Sequence, residues 1–239
     1  MRTTGRAVPL ARNLPGYDPG NAPPEAPIDC PLCPRLVAFR AANAAKFPLY
    51  FNAPVPSFGD PAARLLVMGM APGLHGANAT GRPFTGDGAG EFLYRALVEF
   101  GFAHGTYDRR ADDGLVLRGA MITNAVRCVP PQNRPTGEEA RTCQPFAQSR
   151  MAALPELRVV LTLGKIAHDA TLRALGLKLK DHKFGHGAEY AVSDGAGGGR
   201  ITLLSSYHTS RYNVNTGVLT WEMFREIFSR CRALADAPA

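Results

Sequence analysis

Three short stretches of this 239-residue chain set reactive or hydrogen-bonding side chains among glycines and prolines. The first runs Gly69-Met70-Ala71-Pro72-Gly73-Leu74-His75-Gly76-Ala77-Asn78 and continues as Gly81-Arg82-Pro83-Phe84-Thr85-Gly86-Asp87. Its glycines let a loop backbone approach a ligand closely. Phe84, in a polar loop, suits either stacking on a flat base or anchoring the loop in the core. Asp87 among glycines reads most simply as a turn residue or helix cap. The second stretch, TNAVRCVPPQNRP from Thr123 to Pro135, sets Asn124 where a buried run ends. Its amide carries both a donor and acceptors, as reading the edge of a base requires. The third, SYHTSRYN from Ser206 to Asn213, gathers His208, hydroxyls and Arg211, a set suited to phosphate contact together with catalysis. The first loop is not G-x-G-x-x-G, and G-x-x-x-x-G-K-[ST] occurs nowhere, so the common nucleotide-phosphate loops are absent.

The five cysteines form a second kind of pattern. Cys30 and Cys33 make a C-x2-C pair, Cys128 and Cys143 have fourteen residues between them, and Cys231 stands alone on the inner face of the last helix. Two distant pairs can close on one site and stitch the N-terminal segment to the rest of the chain. Zinc and a [4Fe–4S] cluster both accept four thiolates, and spacing does not choose between them. The plain alternative for Cys128 and Cys143 is burial as unrelated thiols.

These residues need elements to hold them. The apolar runs RLLVMGM (64–70), AMITNAV (120–126), RVVLTL (158–163) and ITLLS (201–205) read as buried strands. Helical spacing follows Cys33, recurs over Phe92, Leu93, Ala96, Leu97 and Phe100, and returns from about Leu219 with Met223, Phe224, Ile227 and Phe228 inward. Thr136 and Glu139 form a capping box at the start of the helix that carries Cys143. Gly164 opens another helix, and DGAGGGR (194–200) is a turn between two extended segments. Strands alternating with helices predict a three-layer α/β/α fold with a mainly parallel four-stranded sheet. The three chemistry-bearing stretches then fall at strand carboxyl ends, where such sheets bind ligands. Residues 1–28, rich in Pro, Gly and Arg, read as an extended arm, and 29–235 as a single domain.

The net charge of +7, from 27 Lys and Arg against 20 Asp and Glu, points toward a polyanionic partner. No run of eighteen apolar residues and no secretory leader pattern occurs, so a soluble, cytoplasmic chain with no membrane partner is expected.

The stretches GMAPGLHGAN, GRPFTGD, TNAVRCVPPQNRPT, LTLGKIAH and SYHTSRYNVNTG, in this order and with the four cysteines between them, resemble the type-b (family 5) uracil-DNA glycosylases, an iron–sulfur-containing branch of their superfamily. The resemblance spans about Cys30 to Phe228. It implies a structural [4Fe–4S] cluster on Cys30, Cys33, Cys128 and Cys143, and monomeric action on double-stranded, or also single-stranded, DNA carrying uracil and other deaminated bases. It also implies that Phe84 stacks on the extruded base, Asn124 hydrogen-bonds it, His208 faces the leaving base and Asp87 handles the attacking water. Met70, Ala71, His75 and Asn78 would line the base site. Arg82, Arg127, Arg134, Ser210, Arg211 and Tyr212 would contact DNA, with Arg211 or Tyr212 filling the gap left by the base. The family carries Pro after its motif histidine, whereas this chain has Thr209. A zinc nucleobase deaminase is set aside, because no histidine begins H-x-E. The rival that stays is a metal-stapled domain that binds uracil or abasic DNA without cutting.

Overall fold

The computed structural model describes residues 24–193 and 200–237. Most of the expected N-terminal arm, and the glycine-rich turn between the last two strands, lie outside them. Pro24 and Glu25 do not stand away from the body: Glu25 accepts from Arg127, Arg150 and the Ser57 N–H.

Four strands form the parallel centre of one sheet: β2 (Leu65–Gly69), β5 (Ala120–Asn124), β6 (Val159–Leu163) and β8 (Arg200–Ser206). Their spatial order is β5-β2-β6-β8, so the chain runs first to one side of β2 and then to the other. Every residue of β2, β5 and β6 is buried, as the continuous apolar runs require of strands covered on both faces. The expected four-stranded sheet is extended at both edges. β1 (Phe58–Gly59) pairs antiparallel with β5, and β7 (Glu189–Ser193) pairs antiparallel with β8, giving six strands. Two residues in β1 are too few to register as alternation in a sequence. A separate ribbon joins β3 (Ala103–His104) to β4 (Val116–Leu117).

Helices cover both faces. Leu65 and Val67 pack with α3 (Ala89–Glu99) and α7 (Trp221–Asp236), whereas Leu66 and Met68 pack with α4 (Gly137–Ala152) and α5 (Lys165–Ala174). The period-two alternation of β2 thus divides the core into its two halves. Phe224, Ile227, Phe228 and Cys231 of α7 are buried as expected, while Met223 is only partly covered. Each buried aromatic or aliphatic side chain there contributes about 1.5–3 kcal/mol.

Local signals set the helix starts. The Thr136 hydroxyl accepts from the Glu139 N–H at 3.1 Å while the Glu139 carboxylate accepts from the Thr136 N–H at 2.7 Å, completing the predicted capping box of α4. Thr220 caps α7 through the Met223 N–H. α1 (Pro34–Lys46) begins directly after Cys33 with proline in its first turn, and α2 (Ala77–Thr80) and α6 (Arg211–Asn215) are single turns beside the pocket described below. Among the described residues no helix is long and apolar enough to cross a membrane.

Candidate active site and cysteine cluster

The carboxyl ends of β2, β5, β6 and β8 open onto one cavity of about 720 Å³. Phe84, Asp87, Asn124 and His208, drawn from three separate stretches of sequence, all line it, together with Met70, Ala71, His75, Ser210 and Arg211. The strand order reverses between β2 and β6, and on the other side of β2 the register pairs Gly69 with Asn124 at the ends of β2 and β5.

Gly69 shows why the site needs that residue type. A Cβ there would collide with the Asn124 amide and stand 2.6 Å from the Phe84 ring. The Asn124 side chain has no hydrogen-bond partner in the protein among the described residues, although only 2% of the residue is exposed. A nearly buried amide without a partner is an interaction held in reserve for a ligand.

Phe84 is both of the things its sequence allowed. It belongs to the core around Leu65 and Leu93, yet its ring faces the cavity 6.1 Å from the His208 ring. Its φ of +54° is costly for a bulky side chain, by about 1–3 kcal/mol. Tyr107 holds the conformation by donating to the Phe84 carbonyl at 3.1 Å. Asp87 likewise combines two roles. Its Oδ1 accepts from the Ala89 N–H at 3.1 Å at the start of α3, while Oδ2 lies against the Gly73 and Gly76 backbone. Burial raises its pKa above the ordinary carboxylate range, and the Ala89 and Gly90 N–H groups and Arg211 pull it part of the way back.

His208 follows β8 and abuts Gly164, whose φ of +89° excludes a side chain. Burial lowers the His208 pKa, which favours the neutral ring. The Asn213 amide donates to the His208 carbonyl at 2.8 Å, and Ser210 caps α6 through the Asn213 N–H. These bonds fix the loop that carries Thr209, which is fully buried with a hydroxyl that has no partner among the described residues.

A sequence model of the uracil DNA glycosylase superfamily matches residues 56–232. The chain belongs to that superfamily. It is 48% identical over 211 residues to a type-5 uracil-DNA glycosylase of Thermus thermophilus, covering 86% of this chain and 94% of that protein. A type-5 uracil-DNA glycosylase of Pyrobaculum aerophilum is 40% identical over 217 residues, covering 88% of this chain and 90% of its own. A type-4 uracil-DNA glycosylase of the same organism is 32% identical over 169 residues, 70% of this chain and 77% of that one.

Within this superfamily member the expected DNA-contacting arginines divide. Arg211 is exposed at the cavity rim beside Gly88, and Arg134 and Tyr212 are exposed on neighbouring turns. Arg82 is not a DNA contact. It is buried, pairs bidentately with Asp113 at 2.7 and 2.6 Å, and lies among the rings of Phe58, Tyr94 and Tyr107. Arg127 is not one either: its side chain is 1% exposed and bonds Glu25, Ser57 and the Pro24 carbonyl. Both are held because a buried guanidinium without a counter-charge is prohibitively costly. Asn78 does not line the cavity; it is fully buried, and its amide donates to Asn52. Asn133, Gly164, Lys165 and Ile166 also line the cavity, although none of them was expected as a site residue. Gly164 could have been found, since it ends a strand and opens a helix. Tyr107 and Asp113 sit in irregular chain with no motif around them.

Cys30, Cys33, Cys128 and Cys143 line a second, apolar pocket with Leu36, Val126 and Phe146. None of the four is in a disulfide. Burial, reinforced by the neighbouring thiols, pushes Cys33 up to about 12, and burial pushes Cys128 to about 12 and Cys143 to about 11. Arg40 points Nη1 at Cys128 Sγ (3.6 Å) and donates to the Cys30 carbonyl at 2.8 Å, and the Arg127 N–H points at Cys143 Sγ (3.4 Å). Among the described residues no three His, Cys, Asp or Glu side chains are grouped to hold a single metal ion. One zinc would draw its thiolates to about 3.8 Å from each other, given Zn–S near 2.3 Å. Four thiolates lining one apolar pocket are a donor set that either one zinc ion or a [4Fe–4S] cluster accepts.

Proposed function

We propose that this protein removes uracil, and also the deaminated purines hypoxanthine and xanthine, from DNA by hydrolysing the N-glycosidic bond and leaving an abasic site. The observation that carries this reading is the convergence of Phe84, Asp87, Asn124 and His208 on one cavity. Membership of the superfamily and the likeness to type-5 enzymes support uracil excision. The breadth of the cavity and the apolar Met70-Ala71 wall, which fixes few polar contacts, support the wider range.

A target base must leave the duplex, at a cost of a few kcal/mol. Phe84 offers its ring face to the extruded base, and Asn124 offers the amide that none of the described residues uses. As the bond from C1′ to the base nitrogen stretches, its electron pair moves onto the base. The neutral His208 ring, carrying an N–H, donates to the oxygen where negative charge gathers; a well-aimed donor of this kind is worth roughly 3–4 kcal/mol. Asp87 positions the water that attacks C1′ and takes its proton, and its carboxylate faces the positive charge building on the sugar. Burial both activates this carboxylate as a base and restricts the water around it. Arg211 and Arg134 are placed to meet phosphates.

Cys30, Cys33, Cys128 and Cys143 would hold a [4Fe–4S] cluster. Bound there, it would act as a cross-link between the start of α1 and the β5–α4 connection, with no redox step in the reaction. The chain is taken to work as a monomer on its DNA.

The test is base release from a duplex with one U·G pair, read as strand cleavage after alkali, and repeated with hypoxanthine and xanthine. No release of uracil by the wild type would end the glycosylase reading in favour of a non-cutting binder. Release of uracil alone would narrow the substrate range. A brown protein whose colour and iron are lost in Cys128→Ser supports the cluster, and a colourless zinc protein refutes it.

A further inference from the structure

The His208 ring, flanked by Phe84 and Gly164, makes no hydrogen bond among the described residues. Its direction therefore follows the backbone that carries it. After the ring, the Asn213 amide holds the His208 carbonyl at 2.8 Å. Before it, the Gly164 N–H donates to the Ser206 carbonyl at 2.8 Å, and the Tyr207 N–H donates to His186 Nδ1 at 3.2 Å. His186 lies in the segment 182–187, just before β7, and is not part of the cavity wall. That segment grips the end of β8 at successive residues. His168 meets the Ser205 hydroxyl through Nδ1 at 2.8 Å and the His182 carbonyl through Nε2 at 2.9 Å. The Gly187 N–H donates to the Ser205 carbonyl at 2.8 Å. Ser206 Oγ, 3.5 Å from His186 Nδ1, donates to the Tyr207 carbonyl at 2.9 Å. The His186 ring also tilts against the Tyr207 ring, with 5.0 Å between centroids. A backbone N–H can only donate, so Nδ1 is the acceptor and the neutral ring carries its proton on Nε2. The same imidazole bonds the backbone of Met223 on α7. His186 thus ties the residue before His208 to a helix packed on the sheet.

The geometry points to His186 as a positioning residue that sets the aim of the His208 ring at the leaving base. The inference rests on the glycosylase reading and deepens it. His186 touches neither base nor sugar and acts through the Tyr207 amide. A link that served stability alone would act without regard to which base leaves. A link that aims His208 carries a chemical signature, because His208 is needed in proportion to the negative charge that the leaving base must bear.

The experiment measures single-turnover release of uracil and of 5-fluorouracil, whose fluorine draws charge away from the ring, from otherwise identical duplexes. His186→Phe keeps a ring without an acceptor, whereas His186→Asn sets Oδ1 where Nδ1 stood. His186→Phe lowers the uracil rate about tenfold and the 5-fluorouracil rate no more than about threefold, with duplex affinity unchanged. His186→Asn restores both rates to within about threefold of wild type. In a His208→Ala background, His186→Phe lowers the rate no further, because both changes act through one ring. Equal losses on the two bases, or a full further loss in His208→Ala, overturn the inference. Should His186→Phe not fold, His186→Gln, which keeps the far nitrogen but not the near acceptor, is read in the same way. If the wild type releases neither base, the glycosylase reading fails separately. The aim of the ring is then read from the His208 imidazole resonances in a ¹H–¹⁵N spectrum. Shifts in His186→Phe that revert in His186→Asn keep the inference, and resonances that stay in place remove it.

Discussion

The cavity and the cysteine corner are assembled in the same way, from segments far apart in the chain, yet they treat polar groups differently. In the cavity, the Asn124 amide and the His208 ring make no hydrogen bond to the protein among the described residues, and Asp87 keeps one oxygen against bare glycine backbone. In the cysteine corner each arginine head group has protein partners, although Arg127 Nε has none among the described residues. Arg35 pairs with Glu139, Arg127 and Arg150 share Glu25, and Arg40 spans Cys30 and Cys128. Polar groups left open beside a cavity are available to a substrate, whereas paired ones hold parts of the chain together. Arg82 makes the contrast sharp. It lies in the loop that carries Phe84, but its pairing with Asp113 places it with the architecture.

The largest effect that separates the two classes is expected at Asp87. Asp87→Ala should lower the rate of uracil release about 10²–10⁴-fold while costing only the roughly 0.5–2 kcal/mol of its cap on α3. A full rate in this variant would remove the carboxylate from the chemistry. Asp113→Ala should do the reverse. It leaves the buried Arg82 guanidinium without a partner and should cost about 3–5 kcal/mol in a urea titration, and a loss below about 1 kcal/mol would show that the pair is not structural. Arg82 holds the Asp113 carboxyl well below the usual carboxylate range, so this stability is present at neutral pH and is lost only as strong acid protonates Asp113.

A smaller and more specific effect concerns pH. Because burial raises the Asp87 pKa, release should fall about tenfold per pH unit as pH drops through a window above the ordinary carboxylate range. Burial moves protonation of the His208 ring the opposite way, toward lower pH. Asp87→Asn should abolish the acid limb, and a limb that survives belongs to another group. The smallest effect separates the two arginines near the cavity: Arg211→Gln should weaken DNA binding at every sequence and reduce the slope of log affinity against log salt by about 1. Arg82→Gln should leave that slope alone and act through stability, and a matching loss of slope would return Arg82 to the DNA surface.

Much of the site was legible because its residues lie at strand ends, and strand ends are written in runs of apolar residues that stop at glycine or asparagine. Asn124 and Gly164 were readable in that way, and the Thr136–Glu139 box was readable from spacing alone. Tyr107, which props Phe84, was not, because it sits in no periodic element. The two arginines were misjudged for one reason: the acid that neutralises Arg82 lies 31 residues later, and the one that neutralises Arg127 lies 102 residues earlier.

By itself the sequence determined the layered α/β order, the caps, the residue types at the site and the four cysteines that could share a ligand, since each depends on neighbours within a turn or a strand. Only the tertiary structure decided which polar groups remain open. Whether a charge is free or spent depends on a partner brought near by folding, and separation along the chain carries no record of that distance.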